Sequence, residues 1–265
     1  MFLPIEYNSK KKKMISEKEV RKKIFFNSNK NLDYLLKKRF EWMAEYLGPN
    51  NKKIIIELGS GSGCIKKVLK NKEIILTDII KHSWIDQKVD MLKMNLSKKL
   101  INKVDVFIFN HSLHHCPNPS KSLKLISKFL KKGGLILLNE PETSFFLKII
   151  QLITRDEGWS YKKNIFNTSS NLFLKNNPWF SNTAIAELLF ENEVKFLNNF
   201  PEYKIIKNEL SEFFIFINSG GVNADIKKIP MNNFFLNIMN VIDKVLVKFF
   251  PKVFALNRSV VLKKI

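Results

Sequence analysis

The residues best suited to chemistry gather in three places. Residues 54–63 read IIIELGSGSG, with Gly59, Gly61 and Gly63 at alternate positions directly after a β-branched run. A turn of this kind lets a ligand approach the backbone more closely than any side chain would allow. A dinucleotide site asks for Gly-x-Gly-x-x-Gly, so that pyrophosphate can rest on a helix N-terminus. Here Cys64 stands in the third glycine's place, and Glu57 precedes the first glycine by two residues. A fixed negative charge there suits a cationic ligand and opposes a pyrophosphate. Asp78 ends the next apolar run, ILTDI, where an N-cap or turn role would also explain it. The third place holds His111, His114 and His115 beside Cys116. Zinc needs three or four ligands. Adjacent residues in such a loop point in different directions and no second ligand group is recognisable, so no metal is expected. Cys64 and Cys116 read as small apolar side chains.

These residues need a scaffold, and the hydrophobic pattern supplies one. Residues 31–47 place Leu32, Leu35, Leu36, Phe40, Met43, Ala44 and Leu47 on one helical face, ended by Gly48-Pro49. Runs of strand length follow at 54–58, 74–77, 89–94, 104–109 and 135–139. A short helix is expected over 64–70, and another over 119–132, stopped by Gly133-Gly134. Such alternation over 50–140 predicts an α/β fold: a Rossmann-like, doubly wound, mostly parallel sheet with helices on both faces. Residues 1–30 look basic and weakly patterned. After Glu140-Pro141 the rhythm gives way to helices at 145–153 and 183–190, the second with Asn182 as N-cap. Strands return at 203–207 and 258–263, with a helix near 232–249 between them. The chain therefore reads as a single domain over 1–265. It comprises an N-terminal helical segment (1–49), a glycine-loop half (50–141), a helical insertion or lid after the fifth strand (142–202), and late strands with an inserted helix (203–265).

The combination Glu-x-Gly-x-Gly-x-Gly resembles motif I of the class I S-adenosylmethionine-dependent methyltransferases. Asp78, nineteen residues after Gly59, agrees with it, as does the segment 104–141 with its Lys-Lys-Gly-Gly turn and closing Glu140-Pro141. The resemblance is good over 50–141. It implies a seven-stranded sheet and S-adenosylmethionine as cofactor. It also implies roles: Glu57 toward the methionyl amino group, Gly59, Ser60 and Gly61 as backbone along the cofactor, Asp78 at the ribose and Ile79 against the adenine. Asn95, where the family often has Asp, would accept from the adenine amino group. Asn110 and His111 would close over the methionyl part. A looser likeness to methyltransferases of glycan and lipid-linked sugar pathways rests on residues 182–191 and 219–221. His115, His111, Glu140 and Glu142 are the general-base candidates by strand order, with His115 favoured because an imidazole titrates near neutral pH.

Composition bounds the partners. The net charge is +21, yet only four of the 45 basic residues are arginines, Arg21, Arg39, Arg155 and Arg258. Arginine is the residue of bidentate phosphate and guanine contacts. With 29 Asn and abundant Ile and Phe, the lysines read as compositional drift, and no nucleic-acid partner is expected. The nucleobase-amine and cytosine C5 methylation motifs are missing, since Asn110-His111-Ser112-Leu113 follows the fourth strand and Cys116-Pro117 has reversed order. What remains is a small-molecule, glycan or lipid-linked acceptor. An RNA-directed enzyme and a non-catalytic binding module are the alternatives. Trp159, Tyr161, Trp179 and Phe180 could form an aromatic lid. The 232–249 helix reads as core, although Lys244, Lys248 and Lys252 offer a basic face to an anionic membrane. Two cysteines and the lack of a signal-like apolar stretch point to the cytoplasm.

Overall fold

The computed structural model describes residues 16–27, 29–48, 52–154, 157–173, 180–221 and 227–265. The lysine run 10–13, Arg155 and Trp179 lie outside them. Two helices lead the chain, α1 (Glu17–Phe25) and α2 (Lys30–Leu47). The first half of the sheet comes next, with β1 (Ile55–Leu58), the single-turn α3 (Ile65–Val68), β2 (Ile74–Asp78) and β3 (Gln87–Lys88). Then come β4 (Val104–Asn110), α4 (Pro119–Phe129) and β5 (Leu130–Pro141). Three helices occupy the insertion, α5 (Phe145–Thr154), α6 (Ile185–Phe190) and α7 (Glu193–Asn199). The chain closes with β6 (Tyr203–Ser211), α8 (Phe214–Ile217), α9 (Asn233–Phe249), α10 (Pro251–Phe254) and β7 (Asn257–Lys264).

All seven strands form one sheet in the order β3-β2-β1-β4-β5-β7-β6, parallel except for β7, which runs antiparallel to both neighbours. Because successive strand residues face opposite ways, the continuous apolar runs feed two cores. Ile56, Phe107, Phe109, Ile136 and Leu138 face α4, α6 and α7 through Leu123, Ile126, Leu189 and Phe196. Ile55, Val106, Ile108, Leu137 and Val261 face α1 and α2 through Ile24, Leu36, Phe40 and Met43. The chain runs outward from β1 to β3 and returns on β1's other side as β4. The carboxyl ends of β1 and β4 thus flank the switch point where open α/β sheets bind ligands.

Several boundaries differ from expectation. The strand expected over 89–94 is only Gln87–Lys88, and the chain beyond it is turn. Helix α4 ends at Phe129 rather than 132, because Leu130 already pairs with Val104 and β5 begins there. The single turn α3 replaces a helix expected over 64–70. The region read as weakly patterned contains α1, started by a capping box in which Ser16 and Glu19 bond each other's backbone. Helix α7 was not anticipated either. Some of the asparagines have structural work: Asn29, Asn118, Asn192 and Asn232 each cap a helix N-terminus through the side chain.

Candidate active site

The glycine turn leaves the end of β1 with φ of +71° at Gly59, +48° at Gly61 and +69° at Gly63, the left-handed region that glycine enters without strain. A Cβ on Gly59 would come within 2.6 Å of Ser112 Cβ and 2.8 Å of Met91 Cε, whereas one on Gly61 would meet nothing within 4 Å. The turn is fastened from three sides. Ser60 N–H donates to Thr77 O (2.9 Å), and Gly61 N–H donates to Asp78 Oδ2 (2.8 Å). Trp84 Nε1 donates to Gly61 O (2.8 Å) and Arg21 Nη1 to Ser62 O (2.6 Å). Arg21 and Trp84 carried no signal in the sequence, since one lies on the unanticipated α1 and the other in a loop.

Glu57 sits beneath this turn, 2% exposed, and its Oε2 has no hydrogen-bond partner. Burial pushes the carboxyl up to about 8, with the Ser60 hydroxyl pulling the other way and Asp78 adding to the rise. A buried carboxyl with an unpaired oxygen is costly by itself and is relieved by a hydrogen-bonding cation. Asp78 lies at the end of β2, with Oδ1 accepting from Ile80 N–H at 3.0 Å. Each of its oxygens keeps a lone pair for a further donor such as a hydroxyl. Ile79 beside it is 41% exposed, an apolar surface at the rim. These placements fit S-adenosylmethionine: Glu57 for its ammonium, the Gly59–Gly61 backbone along its length, Asp78 for the ribose and Ile79 for the adenine.

Asn95 has structural work in the turn where the adenine contact is expected. Its Oδ1 accepts from Asp90 N–H (2.8 Å) and its Nδ2 donates to Lys88 O (3.1 Å), so the amide holds the exposed turn after β3 together. That turn instead lays Met91 against Gly59 and carries the acid Asp90 one residue before it. The shortness of β3 is the cause, because the chain turns at residue 89 and not at 95.

At the end of β4, Asn110 Oδ1 accepts from Asn139 Nδ2 (3.2 Å) and Asn110 Nδ2 faces Cys64 Sγ (3.7 Å). His111 has φ +51° and donates its backbone N–H to Asn139 O (2.7 Å). Its Nε2 is buried without a partner, and burial holds this imidazole well below its ordinary range and hence neutral. Of the other base candidates, both carboxylates are already engaged. Glu140 Oε1 accepts from Ser112 N–H (2.9 Å) and Leu113 N–H (2.8 Å), while its Oε2 meets His114 Nδ1 (2.6 Å). Glu142 forms a buried bidentate pair with Arg258, at 2.6 and 2.9 Å.

His114 and His115 ride on a 3-10 turn (Leu113–His115) with ring centroids 4.2 Å apart. Two carboxylates, Glu157 and Glu140, outweigh burial and raise His114 to about 10. Burial and the neighbouring His114 lower His115 to about 4. Glu157 is drawn down to about 2 by the same pair of histidines, against the opposing effect of burial. It comes from the insertion, 43 residues from His114 in sequence, and nothing in the spacing announced it. The aromatic lid is altered too: Trp159 is 4% exposed and packs as core, while Tyr161 keeps an exposed ring with its hydroxyl donating to Glu187 Oε2.

A glycine turn over a buried acid at the switch point of a 3-2-1-4-5-7-6 sheet defines a class I S-adenosylmethionine-dependent methyltransferase. A family described as a methyltransferase domain matches residues 28–192, and the chain belongs to it. Among solved structures, a SAM-dependent methyltransferase from Archaeoglobus fulgidus is similar at 15% identity, over 87% of this chain and 93% of that one, with a TM-score of 0.51. The YcgJ protein from Bacillus subtilis is similar at 11% identity, over 86% and 97% of the two chains, with a TM-score of 0.47. No curated protein matches the chain in sequence.

Proposed function

We propose that the protein methylates a lipid-linked intermediate, such as a lipid-borne glycan, at the cytoplasmic face of an anionic membrane. The observation that carries this reading is helix α9. Its Leu236, Asp243 and Val247 are buried, while Phe234, Phe235, Ile238, Val241, Val245 and Phe249 form an exposed apolar stripe on the opposite side. The expectation that this helix is core thus holds for its inner face only. Exposed Lys244 and Lys248 flank the stripe. Lys252 does not join them, because it is paired with Glu187 and Glu191. An apolar stripe edged by lysines suits a helix lying in the headgroup region, and the chain's net charge of +21 favours an anionic surface. No helix among the described residues is long and apolar enough to cross a membrane.

Bound S-adenosylmethionine supplies an electrophilic methyl group on a sulfonium. The chain's contribution is alignment and water exclusion, which can carry much of an in-line displacement. Glu57 would release its proton to solvent and hold the ammonium, Asp78 would hold the ribose, and the glycine turn would set the cofactor's distance from the end of β4. The acceptor's reacting atom then approaches from the side of His111, His114 and His115.

The test is incubation of purified protein with methyl-labelled S-adenosylmethionine and membranes or soluble extract from the source cell. Label appearing in the lipid-extractable fraction supports the reading. Label confined to soluble small molecules or to RNA contradicts it.

A further inference from the structure

His114 and Glu157 were not expected to meet, and the way they meet with His115 has a particular chemistry. His114 Nδ1 lies 2.6 Å from Glu140 Oε2, and His115 Nδ1 lies 3.1 Å from the carbonyl oxygen of Phe180. Both partners only accept, so both Nδ1 atoms carry hydrogen. On a neutral ring the lone pair is then on Nε2. Both Nε2 atoms turn toward one oxygen, Glu157 Oε1, at 3.2 Å from His114 and 3.6 Å from His115. The His114 contact alone could be a hydrogen bond from a protonated ring. The His115 contact is different: a nitrogen lone pair faces a carboxylate oxygen, acceptor against acceptor, and a cation between them resolves the conflict.

The dimensions suit a metal ion. The three ligand atoms all lie within 4.8 Å of one another. Ligands at roughly 2.1 Å from zinc in tetrahedral directions would stand about 3.4 Å apart. The surroundings match as well. A metal-bound histidine characteristically donates its other N–H to a carboxylate or backbone carbonyl, and here His114 has the first and His115 the second. Glu140 is held in place by three backbone N–H groups of the same turn, so its orientation is fixed. Charge balance agrees: two carboxylates and two neutral imidazoles around a dication sum to zero, whereas a single imidazolium leaves one negative charge in excess.

We propose that His114 Nε2, His115 Nε2 and Glu157 Oε1 form a binding site for a divalent transition metal of the zinc class. The side chains of His115 and Glu157 are 26% and 30% exposed, which leaves a fourth position open to solvent at the sheet end that holds the cofactor site. A metal with an open position there would polarise an acceptor oxygen or a water. Two reasons had argued against a metal: that adjacent histidines diverge and that no further ligand exists. The 3-10 turn overcomes the first and the insertion supplies the second.

The experiment is titration of chelator-treated full-length protein with zinc chloride, followed by calorimetry, with cobalt(II) absorption as an independent readout of coordination. Wild type is expected to take up one equivalent and, with cobalt, to show the intense visible bands of a low-coordinate site. Glu157→Gln and His115→Ala should each weaken zinc at least about 100-fold, since losing even an outer partner of a ligand costs about 10–100-fold. Binding of S-adenosylhomocysteine by the same variants, together with unchanged circular dichroism, verifies that they are folded. The proposal is overturned if wild type binds the homocysteine analogue but takes up no zinc, or if zinc uptake survives undiminished in both variants.

Discussion

Replacing Glu57 by Gln should make the protein more stable and its cofactor site worse. The carboxyl is buried and held at about 8 against an ordinary 4.5. Between those values the unfolded chain has released its proton while the folded chain retains it, so stability falls as pH rises through that window. At about 1.4 kcal/mol per pH unit, the two and a half units from 4.5 to 7 amount to about 3 kcal/mol, reaching about 5 kcal/mol above pH 8. Glutamine does not titrate and escapes this penalty. For a chain of this size, about 3 kcal/mol corresponds to a Tm difference of about 6–12 °C. Thermal melts of wild type and Glu57→Gln from pH 4.5 to 8.5 read the difference directly, with every other titrating group cancelling between the two. The two Tm curves should diverge steadily up to pH 8 and then run parallel. In ligand titrations the affinity of wild type for S-adenosylhomocysteine should rise by up to about tenfold per unit as pH increases toward 8, because Glu57 must release its proton to solvent to pair with the ammonium, and the variant should not show this rise. Parallel melting curves across the whole range would refute the reasoning.

Charging the outer stripe of α9, with Phe234→Glu and Val241→Glu together, should abolish flotation with anionic vesicles while leaving Tm within about 2 °C, because both residues are more than half exposed. Arg39→Ala removes one partner of a buried pair, with Nη2 2.6 Å from Glu212 Oε2, and should cost about 3–5 kcal/mol in denaturant unfolding. Trp159→Ala should cost about 3–5 kcal/mol as a core cavity. Cofactor affinity per folded molecule should not change in that variant, and a selective loss of acceptor turnover without destabilisation would restore Trp159 to the aromatic lid.

The parallel half of the sheet was legible because buried parallel strands are short, β-branched and bounded by glycine or charge. Residues 54–58, 74–77 and 104–109 had no other plausible structure. Strand β3 was misread because its apolar neighbours Val89, Leu92 and Met94 are buried by a turn that packs under the sheet edge, and burial alone mimics a strand. That Glu57, the glycines and Asp78 come together was legible because they lie on one local segment and its immediate successor. Arg21, Trp84 and Glu157 were not, since each reaches the site from a separate element and only the folded chain brings them together. The solvent-facing stripe of α9 was visible as a periodicity, but periodicity does not say which of two apolar faces turns inward.

The central claim is that the Gly59–Gly63 turn with Glu57 and Asp78 binds S-adenosylmethionine. Calorimetric titration of wild type and Gly61→Arg with S-adenosylhomocysteine tests it most directly, because Gly61 has φ +48° and opens onto free space that an arginine side chain would fill. The account predicts saturable one-to-one binding by the wild type and none by a folded Gly61→Arg variant. Binding of NADH in place of the homocysteine analogue, or equal binding by both proteins, would contradict it.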